Sequence, residues 1–376
     1  MILVFIENGF CIVKSNQIYT RLKSRFVKIG GLILTAMQKG TQVFLLITFL
    51  LSVFACDSDM DKAGRFFLMG NEELKAQNYK EAIRLYTEAL DKNPLFKEAY
   101  NNRGVAYFKT LRFAEAINDY TYAILQVDPD YTDAYKNRFE ASLASGNFKR
   151  ALDDADFLRK TFPDSAYTYF YKGLALTELK RFDEAISEFQ KSYELDAANV
   201  EAVVNQANAY YMSDRYTEAK QLLQKAIGMD ASEPNIYNTL SLIASQENDF
   251  EKALEFANEA IALDRLNPYF NNNRGYIYLN LGELEKAEAD INLGIKADPR
   301  NPWAYRNKAI FYFKSENYDA ALRNIEQAAL YDDTIPLLNY YWGAILLKLN
   351  RKVEACEKLA ALTQPEAANL KQQACN

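Results

Sequence analysis

The chain has 376 residues and no histidine. That removes the commonest general base and the commonest zinc ligand. Serine–histidine and cysteine–histidine nucleophilic sites are thereby excluded within it. Its cysteines form no paired metal motif, and no glycine-rich phosphate loop is present. Glycine and proline are few, while tyrosine and phenylalanine are plentiful, which marks an ordered body. The acidic cluster Asp153, Asp154 and Asp156 reads most simply as a solvated face. No enzyme, cofactor or metal is expected. Net positive charge is also lacking. The total is −6, and residues 1–55 carry +5, leaving −11 for the rest. An acidic body argues against nucleic acid, and against anionic lipid held by charge alone.

What the chain does have is repetition. The stretch 181–186, Arg-Phe-Asp-Glu-Ala-Ile, recurs closely at 78–83, 112–117, 147–152, 249–254 and 317–322, and more loosely at 215–220, 283–288 and 351–356. Its alanines are Ala82, Ala116, Ala151, Ala185, Ala219, Ala253, Ala287, Ala321 and Ala355. Every interval is 34 residues except 116 to 151, which is 35. Length alone would suggest two or three domains. A held period instead means one helical unit stacked about nine times. Prolines and Asp/Asn residues mark the turns, as proline's fixed φ and missing donor require.

These units resemble tetratricopeptide repeats over 63–363. The family's helix-A glycine is matched by Gly70, Gly104, Gly173, Gly275 and Gly343, with Ala207, Ser241 and Ala309 as small substitutes. The resemblance implies an all-α solenoid, a right-handed superhelix of helix-turn-helix repeats. Helix A of the first unit is expected near 63–76 and helix B near 79–92. The third repeat departs, with Phe139 at the small slot and Ala155 at the aromatic one. With the extra residue in 125–128, this predicts a local change of pitch around 125–160. Residues 364–376 read as a C-terminal cap after Pro365. There Cys356 and Cys375 would face each other, either as a disulfide or as two thiols.

Upstream, residues 43–55 form an uncharged apolar run too short to span a bilayer as a helix. Val53-Phe54-Ala55-Cys56 resembles a bacterial lipobox, with Phe54 departing from the usual small residue. That resemblance makes 37–55 a lipoprotein signal peptide, Cys56 the lipidated residue and Met37 the true start, with 1–36 an upstream extension. The acidic run after Cys56 resembles the surface-export signal of Bacteroidetes lipoproteins; a plain linker over 56–62 is the alternative. At seven steps it would reach no more than about 25 Å. The expected location is the bacterial envelope, as an outer-membrane lipoprotein facing periplasm or surface.

In this family partners lie along helix A. Asn102, Asn137, Asn205, Asn273 and Asn307 share one slot, and resemble the asparagine ladder of the O-linked N-acetylglucosamine transferase array. There, amides read an extended peptide backbone. The alternative is that they only tie adjacent helices A together. Tyr167, Phe170, Asn208, Tyr211, Asn238, Tyr269, Asn272, Trp303, Arg306 and Tyr340 complete the expected groove. Acids dominate its middle (Asp133, Glu140, Glu178, Glu201) and cations its end (Arg306, Lys314, Lys348). The family's carboxylate clamp for chaperone tails is not matched. Asn71 and Asn102 fit it, but Phe67, Asp133 and Asn137 replace its cations. The reading is a non-catalytic adaptor for a protein or peptide segment, held at the envelope by its lipid anchor. The alternatives are a holdase chaperone and a glycan-binding module.

Overall fold

Ser58 opens the first helix with a reciprocal cap. Its hydroxyl accepts from the Asp61 amide at 3.1 Å, and the Asp61 carboxylate accepts from the Ser58 amide at 3.2 Å. Asp59 and Asp61 also sit favourably at the helix's positive end. Helix α1 therefore runs Asp59–Lys75 and takes in most of the stretch expected as a linker. The computed structural model describes residues 58–376, and the backbone of Phe5–Ile6 and Gly9–Phe10, which pair as two short antiparallel strands. The readings placed on Met37, on the apolar run and on Cys56 lie outside the described residues.

From residue 58 onward every regular element is helical, in two compact units, Met1–Asp154 and Ala155–Asn376. Unit 1 continues with α2 (Tyr79–Lys92), α3 (Lys97–Lys109), α4 (Phe113–Tyr122) and α5 (Thr132–Ala144). Helix α6 (Phe148–Thr161) carries the chain across the division. Unit 2 contains α7 (Ala166–Glu178), α8 (Phe182–Leu195), α9 (Val200–Met212), α10 (Tyr216–Met229) and α11 (Pro234–Gln246). It continues through α12 (Phe250–Leu263), α13 (Pro268–Leu281), α14 (Leu284–Ala297), α15 (Pro302–Lys314) and α16 (Tyr318–Tyr331). It ends with α17 (Leu338–Lys348), α18 (Lys352–Leu359) and α19 (Ala368–Cys375). Odd helices are the A helices of nine repeats and even ones the B helices, with α19 as the cap.

Within a repeat the two helices approach through the small slots. All nine ladder alanines are fully buried. A Cβ at Gly104 would stand 2.5 Å from Cε1 of Tyr120, and one at Gly173 would stand 2.6 Å from Cε1 of Phe189. Each glycine thus makes room for the ring sixteen residues on. In the third repeat the sizes are exchanged, and both Phe139 and Ala155 are buried. The extra residue of the preceding repeat enters as a π-turn at Ala123–Val127, closed by the Asp128 amide on the Ala123 carbonyl.

Each A helix ends in a left-handed residue. Gln77, Leu111, Lys180, Asp214, Asn248, Glu316 and Asn350 lie at φ 58–62°, and Gly146 and Gly282 at 76° and 78°. The next amide reaches back to the carbonyl five residues earlier, as in Arg112 to Tyr107 and Arg181 to Leu176. Seven of the nine B helices end on an Asx-turn, in which Asn93, Asp128, Asp196, Asp230, Asp264, Asp298 or Asp332 accepts from the amide two residues on.

A buried polar strut joins the helices of several repeats. Arg103 forks onto Asp119 with both bonds at 2.7 Å, and Arg138 onto Asp154 at 3.0 and 2.6 Å. In unit 2 Arg274 grips Asp290 in the same way, and Lys172 meets Glu188 at 3.3 Å. Asp154 is therefore no part of a solvated face, as its side chain is 1% exposed. Lys172 also holds Asp156 at 2.9 Å. The carboxyls of Asp119 and Asp154 are pushed up, chiefly by burial and against the pull of their arginines.

The carboxy terminus is sealed covalently. Cys356 and Cys375 form a disulfide across 19 residues, with Cα atoms 5.0 Å apart. Helix α19 lays Ala374 and Leu370 over Leu346, Ala355 and Leu359.

Two substitutions test this construction. Leu111→Gly should raise stability by about 0.5–1 kcal/mol, since leucine carries a left-handed backbone at a site where its side chain is exposed. Arg138→Ala should cost about 3–5 kcal/mol, because it strands a buried carboxylate. Urea unfolding midpoints check both.

Candidate functional site

Consecutive A helices touch one another in each unit, while B helices pack chiefly on the A helices beside them. The A helices are thus the inner row, where the groove was expected. Asn102, Asp133, Asn137 and Glu140 stand in unit 1, and the remaining groove residues in unit 2.

The asparagine slot is committed largely to holding the row together. Asn102 donates to the Asn71 side-chain oxygen at 2.8 Å, and Tyr86 donates to the same oxygen at 2.7 Å. Asn137 donates to Asn101 at 2.8 Å. In unit 2 Asn273 donates to Asn238 at 2.9 Å, and Asn307 to the side chain and backbone of Asn272 at 3.0 and 3.2 Å. Asn205 turns instead to its own helix, on the Glu201 carbonyl. Asn272 and Asn307 are buried, so they serve the tie. The half-buried Asn102, Asn137, Asn205, Asn208, Asn238 and Asn273 remain at the surface of the row. Asn102, Asn137, Asn205 and Asn273 each use one of their two N–H groups in these bonds.

The expected aromatics divide likewise. Phe170 packs on Phe189 at 5.7 Å, Tyr167 against Tyr171, and Tyr340 edge-on to Tyr341. Tyr211 lies 5.9 Å from Tyr216, and burial raises its phenol. Tyr269 and Trp303, by contrast, are 55% and 39% exposed. They hold the same position, second in α13 and in α15, so two rings stand one repeat apart on one face. Asn267 and Asn301 fix them there by capping the Tyr269 and Trp303 amides.

Arg306 departs from the expected picture most. It is 5% exposed, whereas Lys314, Lys348, Glu178 and Glu201 are exposed. Its Nε and Nη2 donate to the Asn307 Oδ1 at 3.2 and 2.7 Å, and its Nη1 to the Pro336 carbonyl at 3.0 Å. The guanidinium carbon lies 4.9 Å from the Trp303 ring centre and 5.3 Å from that of Tyr276. Tyr341 and Tyr211 also act on it electrostatically. Burial pushes its pKa down to about 10, so it remains a cation at neutral pH. The sequence reading missed Tyr276. It follows Gly275 directly, in the slot that holds Asn71 in the first repeat.

In unit 1 the positions tested for the carboxylate clamp hold no cation. Asp133 is exposed, Phe67 packs on Tyr86 and Phe96, and Asn137 is in the tie.

Tetratricopeptide repeat models match residues 67–132, 137–200, 176–243, 234–265 and 256–289, together more than half of the sequence. The chain belongs to the tetratricopeptide repeat family. It is 29% identical over 151 residues to serine/threonine-protein phosphatase 5 of Mus musculus, covering 39% of this chain and 30% of that protein. It is 32% identical over 131 residues to RNA polymerase II-associated protein 3 of Rattus norvegicus, covering 35% and 19%. It therefore spans less than a third of either relative's length. Among solved structures it is similar to the APC/C hetero-tetramer Cut9–Hcn1, with TM-score 0.60, 17% identity and coverage of 85% and 78%. Yeast Tom70 gives TM-score 0.55, 20% identity and coverage of 83% and 67%. At these identities the likeness is one of fold. Membership of the repeat family supports a scaffold for protein–protein interaction.

Proposed function

We propose that this chain is a non-catalytic adaptor that holds an extended protein segment along the A helices of unit 2. The observation that carries the reading is the pair of solvent-facing rings, Tyr269 and Trp303, on consecutive A helices beside half-buried amides. Rigid aromatic rings are common energetic anchors at interfaces. Amides supply donors and acceptors that suit a main chain of any sequence. The test is a photoreactive residue at Tyr269 or Trp303 in cells. One stoichiometric partner should be crosslinked from these positions and not from Leu293, which is exposed on the B helix α14. Recovery of a partner only from Leu293 would overturn the assignment.

The adaptor is proposed to work at the bacterial envelope, tethered by lipid on Cys56. What supports this is the short apolar run ending at Ala55 and the cysteine that follows it. No described helix is long and apolar enough to cross a membrane. Cys56→Ser should move the protein from the membrane to the soluble fraction on fractionation. An unchanged distribution would remove the lipid anchor.

A further inference from the structure

A cation taken out of water is normally met by an anion. Among the described residues buried Arg138 obeys that rule on Asp154, and the nearly buried Arg103 and Arg274 do so on Asp119 and Asp290. Arg306 does not. It forms no ion pair among the described residues, and its acceptors, the Asn307 amide oxygen and the Pro336 carbonyl, are neutral. A guanidinium has five N–H groups, and three of them are used here. The remaining two, one on each Nη, are left for another acceptor. The rings of Trp303 and Tyr276 lie against the guanidinium, and Tyr341 and Tyr211 act on it electrostatically. Faces of this kind hold a cation in place without neutralising it.

This charge lies at the proposed binding face. Trp303 both stacks on Arg306 and is 39% exposed, so the ring that covers the cation also meets the solvent. We propose that Arg306 is the anchor for the carboxylate of an acidic side chain within the segment that unit 2 binds. The bound Asp or Glu supplies the counter-charge that the fold withholds, paired to the two unused N–H groups, with Trp303 shifting to admit it. An internal acidic residue fits better than a chain end. Arg306 lies on α15, with A helices α13 and α17 on either side, so a segment has inner face to follow in both directions. This construction differs from a clamp of exposed cations: the charge is single, buried and walled by aromatics. The inference rests on the groove reading and narrows it to segments carrying an acidic residue.

Calorimetric titration of the chain from residue 56 onward tests it, with three probes: acetyl-tetraglutamate amide, acetyl-tetraglutamine amide, and acetyl-tetraglutamine with a free carboxyl end. Tetraglutamate should bind tenfold to a hundredfold more tightly than amidated tetraglutamine, about the worth of one charge-assisted bond. Arg306→Gln should abolish that difference, and Arg306→Lys should keep part of it. Equal affinity for tetraglutamate and tetraglutamine on the unaltered protein would overturn the proposal, whether or not the variants fold. So would an unchanged preference in a folded Arg306→Gln. A response confined to the free-ended peptide would replace the side chain with a chain terminus and overturn the source named here. Crosslinking at Tyr269 or Trp303 with no preference for glutamate would sink the Arg306 assignment and leave the groove standing.

Discussion

The structure depends on how closely helix A approaches helix B. At Gly104 and Gly173 the absent side chain is the space that the ring of Tyr120 or Phe189 occupies. The ladder alanines do the same from helix B. Volume is shared between two positions sixteen residues apart, and that sum matters more than which helix contributes the bulk. The third repeat exchanges the two sizes, with Phe139 on helix A and Ala155 on helix B, and both remain buried. Each repeat buries only one layer, so the stack grows without a central core.

Close approach also governs the polar groups. Helices this near to each other enclose the residue just before the small slot, and a charge there needs a partner within reach. Arg103, Arg138 and Arg274 find theirs sixteen residues on, on the facing helix B. Lys308, at the same slot, turns back to Glu288 and Asn292 of the preceding repeat. Arg306 lies two positions before this register, on the inner face, where it forms no ion pair among the described residues. Its immediate surroundings on the inner row are amides bonded from helix to helix and aromatic rings.

The architecture was legible because its signal is periodic: nine alanines at one spacing leave room for one fold. That Cys356 and Cys375 would face each other across the break at Pro365 was legible, but not that they bond, since two free thiols fit the sequence equally. What could not be read was partner choice within a fixed frame. Asp154 belongs to a run of acids and looks solvated until Arg138 is placed opposite it. The asparagine slot recurs visibly, but recurrence does not separate a bond to a neighbouring helix from one to a ligand. Asn307 and Asn205 share the slot, and one is buried in the tie while the other bonds its own helix. The left-handed turn residues were hidden for a different reason. Seven of the nine are side-chain-bearing residues of no common type, held there by the backbone bond that closes the helix.

In an array held only by neighbours, the outermost repeat has one neighbour fewer and frays first. The Cys356–Cys375 bond removes that freedom at one end, because the last helix cannot lift away while its tail remains tied to α18. Among the described residues the first repeat carries no such covalent tie, and α1 is held by its Ser58–Asp61 cap and by packing such as Phe67 on Tyr86 and Phe96. Oxidised, the described repeats have a direction of unravelling, from α1 inward. The proposed binding rings, in the seventh and eighth repeats, would then be among the last parts of the array to come apart.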